Sequence, residues 1–210
     1  MNKKTVLITG SSTGFGHATA QLFANNSWNV VATVRDVSTA GDLAGRDNVL
    51  VCHLDVTDPA SIVQAIEIPI DRFGTLDAVI NNAGYGQYGI FETIPQASIQ
   101  GNFDVNVFGV MNVIRAISQV FREQKAGLIL NVSSVGGLIG LPSISIYLST
   151  KFALEASARC RSNSRPRTSL SRSSNPAAGT LPSTRERRSS IPETAGWIAT
   201  VLSSNEPTLH

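Results

Sequence analysis

Tyr147 and Lys151 stand four residues apart, a spacing that puts both side chains on one face of a helix and lets the ammonium lie near the phenol. A free phenol titrates near ~10, too high for proton exchange at neutral pH, and a neighbouring cation lowers that value by favouring the phenolate. The pair therefore has the makings of a general acid–base. Ser134 precedes Tyr147 by thirteen residues and closes an apolar run, where its hydroxyl can hydrogen-bond a substrate oxygen. Asn106 sits in a helical stretch between Val105 and Val107, an odd place for an amide unless it faces a polar network.

A second cluster lies near the N-terminus. Thr9-Gly10-Ser11-Ser12-Thr13-Gly14-Phe15-Gly16 falls where a first apolar run ends and a first helix begins. Backbone N–H groups and the positive helix end can there receive a pyrophosphate. Gly10 permits the tight turn, Gly14 the approach of the phosphates and Gly16 close helix–strand packing. Without such context the loop would read as an ordinary strand-to-helix turn. Downstream, Val34 reads as the end of the second strand, with Arg35 and then Asp36. An acidic residue at that end binds a ribose 2′-hydroxyl, and an arginine accommodates a 2′-phosphate. Arg35 beside an uncharged Val34 favours NADP(H) over NAD through a charge-assisted contact. The alternative for Arg35 is a solvated loop cation paired with Asp36.

The elements that must position these residues are legible as short Val-, Ile- and Leu-rich runs: Thr5 to Thr9, Asn29 to Val34, Asn48 to Leu54, Leu76 to Asn81 and Gly127 to Val132. Each reads as a strand buried on both faces. Helix-length segments separate them, with Ala18, Leu22 and Phe23 on one face of the first, and Val105, Phe108, Met111 and Val113 among the apolar positions of a later one. Alternation of this kind predicts an α/β fold, a doubly wound parallel Rossmann sheet with helices on both faces. Pro69 is a local conflict inside the helical segment Ser61 to Phe73; an interior proline costs about 3 kcal/mol and kinks a helix. Cys52 reads as a small apolar strand residue. No partner is evident for His17 or His53.

The chain has 210 residues and a formal charge of +2, which suits one core. Up to Ala156 it carries nine Lys or Arg against twelve Asp or Glu; beyond, eight Arg against three Glu. The basicity is thus confined to the C-terminal part, and neither nucleic acid nor an anionic membrane is an expected partner of the folded part. Cys52 and Cys160 have neither metal-ligand spacing nor a disulfide framework, which fits a reducing cytoplasm and no metal. The run Thr5 to Thr9 is too short for a signal segment or a membrane span.

With the glycine loop, Leu54-Asp55-Val56, Asn81-Asn82-Ala83-Gly84, the Asn106 helix, Asn131-Val132-Ser133-Ser134 and Tyr147-Leu148-Ser149-Thr150-Lys151 in order, the sequence from about Lys3 to Ala156 resembles the short-chain dehydrogenase/reductase family. The resemblance implies that Asp55 and Val56 contact the adenine, and that Asn82, Ala83 and Gly84 border the adenosine ribose and support the central strand. It implies that Lys151 binds the nicotinamide ribose and eases ionisation of Tyr147, that Tyr147 exchanges the proton, that Ser134 polarises the carbonyl and that Asn106 holds a water in a relay to Lys151. The implied reaction is reversible hydride transfer between nicotinamide and a small-molecule carbonyl or secondary alcohol. Taken singly, each of these residues has an ordinary structural reading.

The resemblance fails after Ala156. Family members continue the Tyr147 helix and add a sixth strand, a Pro-Gly turn, a substrate loop and a seventh strand. Here, eighteen of the thirty-six residues from Ser157 to Pro192 are Ser or Arg, a composition that does not pack. Residues 1–157 are thus expected to form a dinucleotide-binding and catalytic domain lacking its last two strands, and 158–210 an irregular tail, with one short amphipathic helix over Thr194 to Leu202. Permitted codons for Arg159 to Ala178, read one register away, can spell a helix end, an apolar strand and a Pro-Gly turn. A reading-frame change shortly after Glu155 is one account of the departure; a true Ser/Arg tail for an acidic partner or nucleic acid is another. The leading expectation is an NADP(H)-preferring oxidoreductase; the alternatives are a cofactor-binding but inactive truncated or frame-shifted relative, and an unstable fragment. The family pairs the helix after Ala97 and the Tyr147 helix across subunits, so a homo-oligomer is open, with the second helix cut short. The apolar segment Leu138 to Ile146 points to a hydrophobic substrate or to packing against the sheet.

Overall fold

Five aliphatic runs form the strands β1 (Thr5–Thr9), β2 (Asn29–Val34), β3 (Val49–His53), β4 (Ala78–Asn81) and β5 (Leu128–Asn131). The computed structural model describes residues 3–157. All neighbouring strands pair in parallel, in the order β3-β2-β1-β4-β5. The first two strands match their expected bounds; the other three are one or two residues shorter at their ends, although Leu54 and Leu76 just outside them stay buried. The readings for residues 158 onward, including Cys160, the Ser/Arg-rich segment and the Thr194–Leu202 helix, lie outside the described residues.

The connections are helices α1 (Gly14–Asn25), α2 (Pro59–Phe73), α3 (Gln96–Phe103), α4 (Val110–Gln124) and α5 (Ser145–Ser157), with two 3₁₀ turns over Val37–Leu43 that meet at Gly41. Helix α2 starts on Asp58, whose carboxylate accepts from the amide of Ala60, and ends at left-handed Gly74. Pro69 does not divide it: the helix runs through to Phe73 with Pro69 buried. The packing of the ring offsets the missing backbone bond.

Strand side chains alternate between the two faces of the sheet. Leu7, Val31, Val79 and Ile129 pack with Ile62, Ala65 and Ile66 of α2 and Val113, Ile117 and Phe121 of α4. Cys52 joins this core, as expected of an apolar strand residue. Helix α1 packs on β1 and β2, and its Phe23 meets Trp28 edge-on, with ring centroids 5.0 Å apart.

One position differs from its expected helical face. Ala18 is exposed, because α1 turns Gly16, Thr19, Ala20, Phe23 and Ala24 inward. Phe108 and Met111 point outward. Between α3 and α4 the backbone forms a π-helical turn over Asp104–Gly109. Its wider spacing resets the helical phase, so that Val107, Val110 and Val113 take the inward positions. No helix among the described residues is long and apolar enough to cross a membrane.

The strand order reverses between β1 and β4, so the loops after these strands open a crevice at the C-terminal edge of the sheet. The core beneath it is dense. Ile117→Ala, at a fully buried position, is expected to lower unfolding stability by about 2–5 kcal/mol in a denaturant titration. A loss well under 1 kcal/mol would contradict this packing.

Candidate active site

At the end of β1, Gly10 adopts φ +72° and Gly14 φ +60°. A Cβ on Gly16 would collide with the carbonyl of Gly10 and the side chain of Asn82, so only glycine permits this approach. Thr13 caps α1 without a side-chain hydrogen bond, which leaves the first amides of the helix directed at the crevice. The space where a Cβ of Gly14 would stand is open. The loop has the shape of a phosphate cradle, with Ser12 half-buried in it and Phe15 half-exposed on the first turn.

The segment after β4 clasps that cradle. The amides of Asn82 and Ala83 both donate to Thr9 Oγ1 at 3.0 Å, and Asn82 Nδ2 donates to the carbonyls of Thr9 and Gly10, each at 3.0 Å. Asn82 and Ala83 thus join the glycine loop to β4. Thr9 was not singled out in the sequence; its place between a strand and Gly10 was the only signal.

Arg35 directly follows β2, as expected. The Asp36 carboxylate caps the next turn, accepting from Ser38 N at 3.0 Å and Ser38 Oγ at 2.7 Å. Those two bonds hold its carboxyl below the usual range. No salt bridge joins Arg35 to Asp36 among the described residues, and the Arg35 charge is felt by Asp55 instead. Asp55 similarly accepts from Thr57 N at 2.9 Å and Thr57 Oγ1 at 2.7 Å, which lowers its pKa. The Val56 side chain is spent in the core, tight against Gly109, so only its main chain is left for a ligand.

Both histidines have partners, contrary to expectation. His17 Nε2 lies 2.8 Å from Asp42 Oδ1 and its Nδ1 3.1 Å from the carbonyl of Ser11. His53 Nδ1 lies 2.8 Å from the carbonyl of Arg35. These contacts cross between segments distant in sequence, and residue type alone did not signal them.

On the other side of the crevice, β5 leads through a 3₁₀ turn, Val135–Gly137, into α5. Ser134 Oγ accepts from the amide of Gly136 at 3.1 Å. A Cβ on Gly136 would stand 3.4 Å from Tyr147 Cε1 and 3.5 Å from Ser134 Oγ, so the hydroxyl and the phenol ring both border the same small residue. Lys151, one turn beyond Tyr147, sets its Nζ 5.7 Å from the centroid of the tyrosine ring. The amine is buried and donates to the carbonyl of Val132 at 3.0 Å. Desolvation pushes its pKa down to about 8, against the opposing pull of Glu155.

Asn106 occupies the π turn and is bound on every side. Its Oδ1 accepts from Tyr85 N at 3.0 Å; its Nδ2 donates to Tyr85 O at 2.9 Å and to Thr150 Oγ1 at 3.1 Å. Gly84 lies between Asn106 and Lys151: a Cβ there would be 3.0 Å from Asn106 Oδ1 and 3.9 Å from Lys151 Nζ. Asn102 adds a bond from its Nδ2 to Tyr85 O at 2.9 Å. Asn102 and Thr150 were missed, although the four-residue spacing of Asn102 and Asn106 is a helical-face signal. The expected polar network around Asn106 is therefore present, built from protein groups.

The model of the short chain dehydrogenase family matches residues 4–168, reaching past Ala156. The chain is similar to oxidoreductase BOA17 of Botryotinia fuckeliana, 40% identical over 154 residues, 72% of this chain and 56% of that protein. It is similar to the 3-ketodihydrosphingosine reductase of Bacteroides thetaiotaomicron, 37% identical over 155 residues, 74% of this chain and 56% of the relative. It thus spans little more than half the length of these curated relatives. Among solved structures, a short-chain dehydrogenase from Streptomyces avermitilis superposes with a TM-score of 0.71 at 34% identity, over 75% of this chain and 59% of that one. A gluconate 5-dehydrogenase from Burkholderia cenocepacia in complex with NADP and tartrate gives 0.70 at 28%, over 75% and 64%. A short chain dehydrogenase/reductase from Burkholderia phymatum in complex with NAD gives 0.70 at 29%, over 75% and 58%.

Lys151 gives the site a pH signature. Folded, it loses its proton at about 8 rather than the ordinary 10.5. Between these values the unfolded chain binds more protons, so the cost of the buried ammonium is complete below about 8 and fades as pH rises. Urea melts should show Lys151→Met more stable than wild type at neutral pH, by a margin that shrinks by roughly 3 kcal/mol towards pH 10.5. A margin independent of pH would contradict the burial of a charged amine.

Proposed function

The chain belongs to the short-chain dehydrogenase/reductase family, and from that premise we propose that it is an NADP(H)-preferring oxidoreductase acting on a carbonyl or secondary alcohol, with Tyr147 as proton donor and acceptor. The observation that carries this reading is the Lys151 amine, held by the Val132 carbonyl and 5.7 Å from the Tyr147 ring centroid. When bound, the nicotinamide supplies or accepts the hydride. The chain's own residues do the rest. The amides opening α1, with Gly10, Ser12, Gly14, Phe15 and Gly16, hold the pyrophosphate, and Arg35 takes the 2′-phosphate. Asp55, the Val56 main chain, Asn82, Ala83 and Gly84 border the adenosine. Ser134 donates to the substrate oxygen, Tyr147 exchanges a proton with that oxygen, and Lys151 holds the ribose and stabilises the phenolate. Asn106, fixed by its bonds to Tyr85 and Thr150, holds a water in a relay to Lys151.

The substrate is best read as neutral and apolar beside the reacting carbon. Tyr88, Ile90, Leu138, Ile139 and Leu141 are all exposed. The two loops bearing them are joined by a hydrogen bond from Gly89 N to the Ser143 carbonyl at 2.9 Å. One relative is named as a reductase of a 3-keto compound. A cytoplasmic setting, with no nucleic acid, membrane or metal partner, completes the proposal. The competing reading is dinucleotide binding without turnover.

Tyr147→Phe should abolish carbonyl reduction, read as NADPH consumption, while changing the NADPH dissociation constant less than about threefold, since the phenol oxygen serves the transition state. Retained turnover would remove Tyr147 as proton donor; saturable NADPH binding by wild type with no turnover on any ketone would favour the competing reading. Arg35→Glu should shift the NADPH/NADH affinity ratio toward NADH by about tenfold or more, the scale of one lost charge-assisted contact. An unchanged ratio, measured by cofactor fluorescence, would remove the case for NADP.

A further inference from the structure

His17 touches two oxygens, and both can only accept. Its Nδ1 is 3.1 Å from the main-chain carbonyl of Ser11, and its Nε2 is 2.8 Å from the carboxylate of Asp42. A neutral imidazole has one N–H, so one nitrogen lone pair would face an acceptor; the imidazolium satisfies both. The surroundings are built around this contact. Ser11 is fully buried, with its amide on the Thr33 carbonyl at 2.8 Å and its hydroxyl on the Ile8 carbonyl at 3.0 Å. One helical turn beyond His17, Gln21 Nε2 donates to the other carboxylate oxygen of Asp42 at 2.7 Å. Helix α1 therefore grips Asp42 with a two-pronged fork. Arg46 stands 3.9 Å from the same carboxylate and is itself turned to Asn25, 3.0 Å away. Asp42 and Arg46 are the charged groups that face this ring. Asp42 closes the Val37–Leu43 segment, which begins immediately after the Asp36 cap and Arg35.

We propose that His17 is a positioning residue for the dinucleotide: as an imidazolium it ties the glycine loop, through Ser11, to the segment that sets Arg35. The tie fixes the pyrophosphate cradle against the site of the 2′-phosphate, and it loosens as the imidazole loses its proton. The inference rests on the cofactor reading above and goes beyond it, since no cofactor contact is asked of His17. An exposed ion pair alone contributes little to stability; its effect here is on the relative placement of two binding segments.

The test uses the full chain, wild type and His17→Gln, which retains one donor group. NADPH dissociation constants are measured by cofactor fluorescence from about pH 6 to about pH 9, a span that brackets imidazole titration. The difference between the two proteins removes the titration of the 2′-phosphate itself. His17→Gln should bind about threefold more weakly at the acid end and equally at the alkaline end, the scale of one exposed charged pair. Two readouts need no cofactor: imidazole nitrogen NMR should find protons on both nitrogens at pH 6, and amide exchange over residues 12–16 should be faster in the variant. A singly protonated ring at pH 6, unchanged exchange, or a binding difference that does not vary with pH would overturn the proposal. If wild type binds neither dinucleotide while exchange still depends on His17, the cofactor reading fails and the tie stands.

Discussion

The site depends on a single unfavourable act, the removal of the Lys151 ammonium from water. At 7% exposure, and with its pKa pushed down to about 8, this amine persists in the folded state only because its neighbours are arranged around it. Strand β5 must end so that the Val132 carbonyl meets the amine, which the register of β5 on β4 fixes by setting Asn131 beside Asn81. The 3₁₀ turn must press flat on α5; a Cβ on Gly137 would come within 3.1 Å of the Lys151 carbonyl. The loop after β4 must pass beside the amine without a side chain, the condition Gly84 meets. Sheet register, two turns and one helix are thereby bound to one charge.

The second constraint is polar satisfaction at the π turn. Pairing of the Tyr85 amide and carbonyl with the Asn106 carboxamide imitates a pair of strand bonds, and Asn102 adds a second donor to the same carbonyl. A regular helix would carry residue 106 round by a different angle and break both bonds. The π turn is therefore the conformation that the amide demands of its backbone. Thr150 donates to the Tyr147 carbonyl at 2.7 Å and accepts from Asn106, so the helix bearing the tyrosine and the helix bearing the asparagine share one network. In such a network each bond limits the freedom of the next.

Strand count, order of elements and the crevice were legible because strands buried on both faces leave continuous aliphatic runs, and because Gly10, Gly14 and Gly16 mark a turn that other residues cannot make. The grouping of Tyr147, Lys151 and Ser134 was legible for a related reason: local spacing on one helix and one strand end brings them together. What escaped was whatever depends on contact between distant segments. The outward turn of Phe108 and Met111 follows from a change of helical phase that residue preferences do not encode. Asp42 lies twenty-five residues from His17 and Arg35 eighteen from His53, and Thr9 acts through bonds to residues more than seventy positions later. Ala18 was misplaced because an alanine does not reveal which face of a short helix is covered.

The two halves of the crevice are rigid for different reasons. The half that bears Tyr147 and Lys151 is held by α5 and the asparagine network. The dinucleotide half is held through its own loop, where Ser11 reaches β2, Asn82 reaches back from β4, and His17 reaches Asp42. A glycine-rich loop in isolation would lose much conformational freedom on closing around a phosphate. Here that freedom is already lost on folding, so binding need not supply the ordering energy again. Among the described residues, the Asn82–Gly84 segment joins the halves: its side chain at one end holds Thr9 and Gly10, and its bare Cα at the other makes room for Asn106 and Lys151. A displacement of β4 against β1 would therefore move the phosphate cradle and the acid–base pair together. In the proposed reaction a hydride donor and a proton donor must meet one carbonyl, and common attachment of this kind would conserve that alignment.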